Sequence, residues 1–247
     1  MFVEVDINNV KFTADLTSGQ SLANGFGPQA ENPNAFHIPA AIVEPIRVGE
    51  FVGSVKEGGS ANCEVVTYCA HGNGTHTESV GHLSKERIHI PDILKRTHYT
   101  AQLITVDLHG EPARLTMESL QNISWEPCEA IIIRSLPNSD AKRSMNWSGN
   151  QPPYIEPDAM EVIKNNGFIH LLTDFPSVDP EEDAGALTAH RKWWNFPENP
   201  RVESSITEMI FVEDSIKDGL YLLEICIPKI HSDAVPSQPI VYPLNRR

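Results

Sequence analysis

At 247 residues, with 40% hydrophobic and 21% charged side chains, the chain is long enough to bury a substantial core and has the make-up of a soluble globular protein. A formal net charge of −14 and a pI near 5.1 argue against nucleic acid or an anionic membrane surface as a partner. The Met-Phe-Val-Glu-Val-Asp start lacks the pattern of a signal peptide, and no apolar run reaches bilayer length. The four cysteines, Cys63, Cys69, Cys128 and Cys226, show no Cys-x-x-Cys spacing, so reduced thiols in a cytoplasmic protein are expected.

In chain order, Phe2–Ile7 and Lys11–Leu16 read as short strands, followed by a Gly/Asn/Pro-rich loop from Ser18 to Pro39 of the length usually reserved for function. Ile42–Phe51 and Cys63–Cys69 read as strands with glycine turns between them. Ala101–Leu108 and Ala130–Leu136 are the continuous apolar runs of strands buried on both faces. Helices are predicted over Arg114–Gln121, Pro157–Asn166 and Ala184–Trp194. The second is the best marked, with Pro157 at its start, an apolar stripe at Ala159, Met160, Val162 and Ile163, and Gly167 after its end. Phe168–Leu172, Glu208–Val212 and Leu220–Ile227 complete the strands, the last two joined by a Lys217-Asp218-Gly219 turn. Strands outnumber helices and interleave with them, which predicts one mixed α/β domain spanning 1–247 with a mostly buried sheet and flanking helices.

The chemistry concentrates in Cys69–His82, which holds His71, His76 and His82 with Glu78 among small residues. Imidazole and carboxylate are the side chains that bind zinc, manganese or iron at neutral pH. In an extended chain His76 and Glu78 share a face, because strand side chains alternate. His71 is out of phase and can join them only if Gly72-Asn73-Gly74 re-aims the backbone. Serine-nucleophile elbows, phosphate loops, dinucleotide fingerprints and His-Glu-x-x-His helices are absent from the sequence, which favours a metal as the catalytic engine. Distant candidates are His190, in a helix ending with Trp193 and Trp194, and Glu208, at the start of an apolar strand where a carboxylate needs a partner. Asp174 and Asp179 follow a strand, with loop capping the preferred role for Asp179. Trp193, Trp194, Phe196 and Phe26 could wall a flat ring or serve equally as ordinary core aromatics.

The segment Gly74-Thr75-His76-Thr77-Glu78-Ser79-Val80-Gly81-His82 resembles the His-x-Gly-Thr-His-x-Asp-x-Pro-x-His signature of the cyclase family, which includes bacterial kynurenine formamidases and isatin hydrolases. Asp15-Leu16-Thr17, the two buried strand runs, residues 153–180 and Tyr221–Pro228 resemble further family segments in the same order, so the resemblance covers most of the chain. It implies a swivelling β/β/α-like fold and a metal-dependent hydrolase acting on an amide or lactam-like C–N bond, with esters or lactones as alternatives. His76, Glu78, His190, Glu208 and His71 match or adjoin the family's metal positions, and His82 matches its general acid/base. One or two ions, Zn2+ or Mn2+, are implied, with a small aromatic or cyclic substrate and a homodimer or homotetramer. Three departures stand out: Gly72 at the first histidine's place, Glu78 for the bridging aspartate, and Val80 for proline. They motivate a second reading, a catalytically degenerate frame that binds a small ligand or a metal without turnover.

Overall fold

The computed structural model describes residues 1–27 and 32–247. Its centre is a nine-stranded sheet whose strands, in chain order, are β1 (Gln20–Ser21), β2 (His76–Ser79), β3 (His98–Asp107), β4 (Ala130–Leu136), β5 (His170–Thr173), β6 (Ser205–Glu208), β7 (Gly219–Cys226), β8 (Ala234–Pro236) and β9 (Gln238–Pro243). Their spatial order is β8-β2-β6-β5-β4-β3-β7-β9-β1. The middle four, β6-β5-β4-β3, are parallel to one another, and the outer pairings are antiparallel.

Parallel strands must be covered on both faces, and β4 shows how the sequence meets that demand. Ile131 and Ile133 point into one core with Ile104, Val106, Leu171 and Ile206, while Ala130 and Ile132 point into the other with Leu103, Leu172, Leu223 and Ile225. Two helices, α1 (Pro157–Asn165) and α2 (Thr188–Trp194), close the first core with Met160, Ile163, Trp193 and Trp194. Both tryptophans are fully buried, each stabilising the packed state by on the order of 2–3 kcal/mol. The mixed α/β architecture therefore agrees with the sequence reading. Flanking it, Phe2–Ile7 and Val10–Asp15 form a hairpin around Asn8 and Asn9, both at positive φ, and Asn245–Arg246 adds a third strand.

The differences from the predicted elements have identifiable causes. Ile42–Phe51 is broken at Pro45 and Gly49 into the strands Ile42–Pro45, Arg47–Val48 and Phe51–Val52. Arg114–Gln121 is not a helix. Arg114 and Leu115 pair in parallel with Tyr154 and Ile155, reciprocal bonds between Thr116 and Ser119 turn the chain, and only Glu118–Leu120 winds into one 3-10 turn. The helix predicted from Ala184 starts at Thr188, because Ala184, Gly185 and Leu187 all adopt positive φ. Glu208 ends its strand instead of opening it, since Met209 at φ 56° breaks the extended run. No hairpin joins β6 to β7, which have β5, β4 and β3 between them. Asp218 instead accepts hydrogen bonds from the Thr105 N–H and hydroxyl at 2.8 and 2.6 Å. Of the predicted loop from Ser18 to Pro39, residues 28–31 fall outside the described residues, and Gln20–Ser21 forms a short edge strand.

His170 illustrates how tightly β5 is enclosed. It is buried, shares a 2.7 Å hydrogen bond with the Ser205 hydroxyl and lies against the Tyr99 ring, 4.0 Å between centroids. Burial, reinforced by the charges of Arg96 and Arg201, holds its pKa down at about 3. A histidine depressed in the folded state leaves the unfolded chain binding more protons below pH 6.5, so its contribution is complete above that pH and is lost as pH falls towards 3. Unfolding free energies from urea titrations at pH 7 down to pH 4 should fall more steeply for the natural protein than for His170→Asn, by up to about 1.4 kcal/mol per pH unit. Equal slopes would show that His170 does not carry this acid sensitivity.

Candidate active site

The site grows out of the β2–β6 pairing. Their antiparallel register sets His76 directly opposite Glu208 and Glu78 opposite Ile206. Strand alternation then places His76 and Glu78 on one face, with His76 Nε2 3.3 Å from Glu208 Oε2. His190 arrives from α2: its Nε2 lies 3.0 Å from Glu78 Oε1 and 3.8 Å from Glu208 Oε1. All four side chains are buried.

His71 reaches the same cluster because the chain turns between it and β2. Asn73 Oδ1 accepts the Cys69 N–H at 2.8 Å, and Gly74 adopts φ 113°, where a Cβ would press to 2.9 Å on the Asn24 carbonyl oxygen. The imidazole of His71 then spans two acids, with Nδ1 3.1 Å from Glu78 Oε2 and Nε2 2.9 Å from Asp233 Oδ2. Position 72 itself cannot carry a side chain without displacement, since a Cβ there would fall 2.2 Å from Ile38 Cδ1 and 3.1 Å from the Ala35 carbonyl oxygen. His82, in the 3-10 turn after β2, sits 3.5 Å from Asp233 Oδ2 and 4.0 Å from Glu78 Oε2. Its ring packs 4.3 Å from that of His71 and 5.4 Å from that of His190.

Charge balance explains the directions in which these groups titrate. Burial alone would push Glu78 up, yet the charges of His82 and His190 and the hydrogen bonds of His190 and His71 hold it well below the usual carboxylate range. Burial likewise opposes charging of His190, but Glu78 and Asp179 win and raise it well above an ordinary histidine. His71 is raised to about 10 against its burial by Asp233 and Glu78, and hydrogen bonds from His71 and His82 lower Asp233 in turn. The buried carboxylates thus demand positive charge at their centre.

Two atoms identify what kind of charge fits. The Nδ1–H of His76 donates to the Gly74 carbonyl at 3.0 Å, which aims Nε2 into the cluster. Nε2 lies buried 3.3 Å from Glu208 Oε2 and makes no well-formed hydrogen bond, while the two Glu78 oxygens are shared between His71 and His190. An imidazole nitrogen this close to a carboxylate is stabilised by a cation shared between them, whether a proton or a metal ion. A convergent set of imidazole nitrogens and carboxylate oxygens, with His76 Nε2 left without a hydrogen bond, suits a divalent metal such as zinc or manganese, and the residues present therefore fit the ion that the motif implies.

All six residues singled out from the sequence gather here. Two further residues complete the cluster. Asp233, just before β8 and without any signal in the sequence, contacts both His71 and His82. Asp179 accepts His190 Nδ1–H at 2.6 Å and caps α2 by accepting the N–H groups of Ala189 and His190 at 2.7 and 3.1 Å. Capping is the role its loop position suggests, and the grip on the imidazole comes in addition. Asp174 is engaged elsewhere, with Lys142 Nζ at 2.9 Å and Ser135. The aromatic wall is also different. Trp193 and Trp194 belong to the core, Phe196 packs beside them, and Phe26 stacks near Tyr68. Phe36 and Leu187 instead line a cavity of about 180 Å³ that opens on His71, His82, His190 and Glu208.

Comparison with known proteins places this geometry. The Cyclase family model matches residues 14–180. A kynurenine formamidase from Bacillus cereus is 25% identical over 193 residues, covering 77% of this chain and 85% of the relative. An isatin hydrolase bound to the product analogue thioisatinate superposes with a TM-score of 0.66 at 14% identity, covering 93% of both chains. A predicted metal-dependent hydrolase from Bacillus stearothermophilus gives 0.62 at 13% identity, covering 91% of this chain and 98% of that one.

The hold on His190 can be tested alone. Asp179→Ala strips a partner from the imidazole and two from the helix start, and should cost about 3 kcal/mol in urea unfolding. Asp179→Asn, which keeps an acceptor, should cost less. A loss below about 0.5 kcal/mol for the alanine variant would mean that α2 is positioned without this carboxylate.

Proposed function

The chain belongs to the Cyclase family, and from that premise we propose that it is a metal-dependent hydrolase cleaving the C–N bond of an amide or lactam-like group in a small substrate. The names of its relatives, kynurenine formamidase and isatin hydrolase, support the bond type. The observation that carries the reading is the buried His76 Nε2, without a hydrogen bond 3.3 Å from Glu208 Oε2, where the carboxylates of Glu208 and Glu78 converge. His76, Glu78, His190 and Glu208 would hold the ion, with His71 against the same Glu78 carboxylate from the other side. When bound, a divalent zinc or manganese ion polarises a carbonyl oxygen and brings the pKa of water towards neutrality.

The chain's own residues supply the rest. Asp179 fixes His190 with Nδ1 as its donor, so that Nε2 faces inward. Val178 N–H donates to Glu208 Oε1 at 2.9 Å and anchors that carboxylate. His82 is partly exposed at the cavity. It is placed to take the proton of the attacking water and return it to the leaving nitrogen, with Asp233 3.5 Å from its Nδ1 to steady the charged ring. Phe36 and Leu187 give the cavity an apolar side, and its 180 Å³ suits a small, compact substrate.

The test separates metal from proton transfer. On N-formyl aromatic amines and isatin-like lactams, His82→Ala should keep the wild-type metal content and lose at least about 100-fold in kcat. Unchanged turnover would remove His82 from the mechanism. Metal-free protein that gains no thermal stability on adding zinc or manganese would overturn the metal-dependent reading, because a ligand of the folded state must raise Tm.

A further inference from the structure

A second group of metal-ligating side chains lies apart from this site. His89 precedes a single helical turn, Ile90–Ile93, and Asp92 belongs to that turn. His231 comes from the loop ahead of β8. Asp92 Oδ2 lies 3.5 Å from His89 Nδ1 and 4.0 Å from His231 Nδ1. The two rings meet edge to face, 5.3 Å between centroids and 83° apart. From these observations we propose that His89, Asp92 and His231 form a peripheral site for a divalent transition metal, zinc above all, separate from the catalytic cluster.

The distances suit the ion. Tetrahedral zinc with bonds of about 2.0–2.1 Å sets its ligand atoms about 3.3 Å apart. The 3.5 Å separation is close to this and the 4.0 Å one exceeds it by about 0.7 Å, while all three ligand atoms lie within 4.8 Å of one another, and Asp92 and His231, both more than half exposed, can turn to close the gap. The donor set of two imidazoles and one carboxylate is one zinc accepts with its fourth position open to water. The two segments are also held together by the protein itself. Ile90 N–H donates to the Ser232 carbonyl at 2.9 Å, and Asp92 N–H to the His89 carbonyl at 3.0 Å. The ligands are thus brought close before the ion arrives, and binding need not order two free loops. The net charge of −14 favours a cation at such a surface.

The placement also gives the ion a consequence. His231 stands two residues before Asp233, whose carbonyl accepts the Ser79 N–H at 2.9 Å and whose carboxylate contacts His71 and His82. A metal joining His89 and Asp92 to His231 would pin the short segment that carries Asp233 into the candidate active site. It would do so without touching any residue of that site.

Zinc titration of the metal-stripped full-length protein, followed calorimetrically, tests this. The natural protein should bind one ion more than His231→Ala, in a micromolar class, and Asp92→Asn should weaken that class by at least about 10-fold, as loss of a metal-orienting group does. Both substitutions change exposed side chains, and an unchanged Tm of the metal-free proteins checks that they fold. Amide exchange gives a second readout: zinc should protect residues 229–233 and 88–94 in the natural protein and not in His231→Ala. Equal stoichiometry and affinity in all three proteins would overturn the proposal. Ions held by the catalytic cluster are counted separately, as the class lost in His76→Ala. A failure there leaves the His231-dependent class to be read on its own.

Discussion

A carboxylate with no exposure to water, Glu78, sits where the sheet, a helix and two loops converge, and much of the local structure follows from it. An ionised group removed from water costs several kcal/mol unless paired and hydrogen-bonded. Each of its oxygens meets an imidazole, Oε1 at His190 and Oε2 at His71, with His82 at 4.0 Å. These partners come from three places in the chain. The fold is therefore obliged to bring β2, α2 and the turn at Gly72–Gly74 to one point. β2 is fixed for this purpose by strands on both sides, β8 and β6, so the carboxylate is held on a rigid element and not on a loop.

The helix that delivers His190 is positioned by constraints of another kind. Left-handed residues at 184, 185 and 187 delay its start, Asp183 accepts the N–H groups of Gly185 and Leu187, and Asp179 caps its first turn. Trp193 and Trp194 lie beyond His190 on the same helix and drive it into the core. The Trp194 indole N–H donates to the Ser204 carbonyl at 2.9 Å, which ties the helix to the entry of β6 and thus to Glu208. Of the two roles the sequence left open for these tryptophans, substrate wall or core, the structure shows the core, where they support the site. His190 is held in place by this packing, by the Trp194 hydrogen bond and by Asp179.

This division explains what could be read from the amino acids alone. The pairing of His76 with Glu78 on one face follows from a period of two, a local rule, and so do the buried strands at 101–108 and 130–136. His190 and Glu208 contact Glu78 and His76 across more than a hundred residues. Their residue types made them candidates, and only the family resemblance tied them to the same site. Asp233 had no such guide. Its partners are set by β8 lying antiparallel to β2, with Ala234 opposite Glu78, and nothing in Ser232-Asp233-Ala234 announces that register. The helix wrongly expected at Arg114–Gln121 failed for a related reason: a nonlocal pairing with Tyr154–Ile155 outweighed a modest local propensity.

The three departures from the family signature read differently once their contacts are known. A side chain at position 72 would require Ile38 to move aside, and the imidazole comes from His71 instead. His71 enters from one residue earlier, with its second nitrogen held by Asp233. Glu78 is longer than the family's aspartate by one methylene, about 1.5 Å of reach, and it uses that length to engage His71 and His190 on separate oxygens. Val80 is fully buried in the main core, where its apolar side chain takes the place of the proline ring. Gly72, His71, Glu78 and Asp233 thus depend on one another. Shortening Glu78 to aspartate would draw its carboxylate back from His71 and His190, and removing Asp233 would leave His71 without its second acid, so these residues act as a coupled way of surrounding the same buried charge.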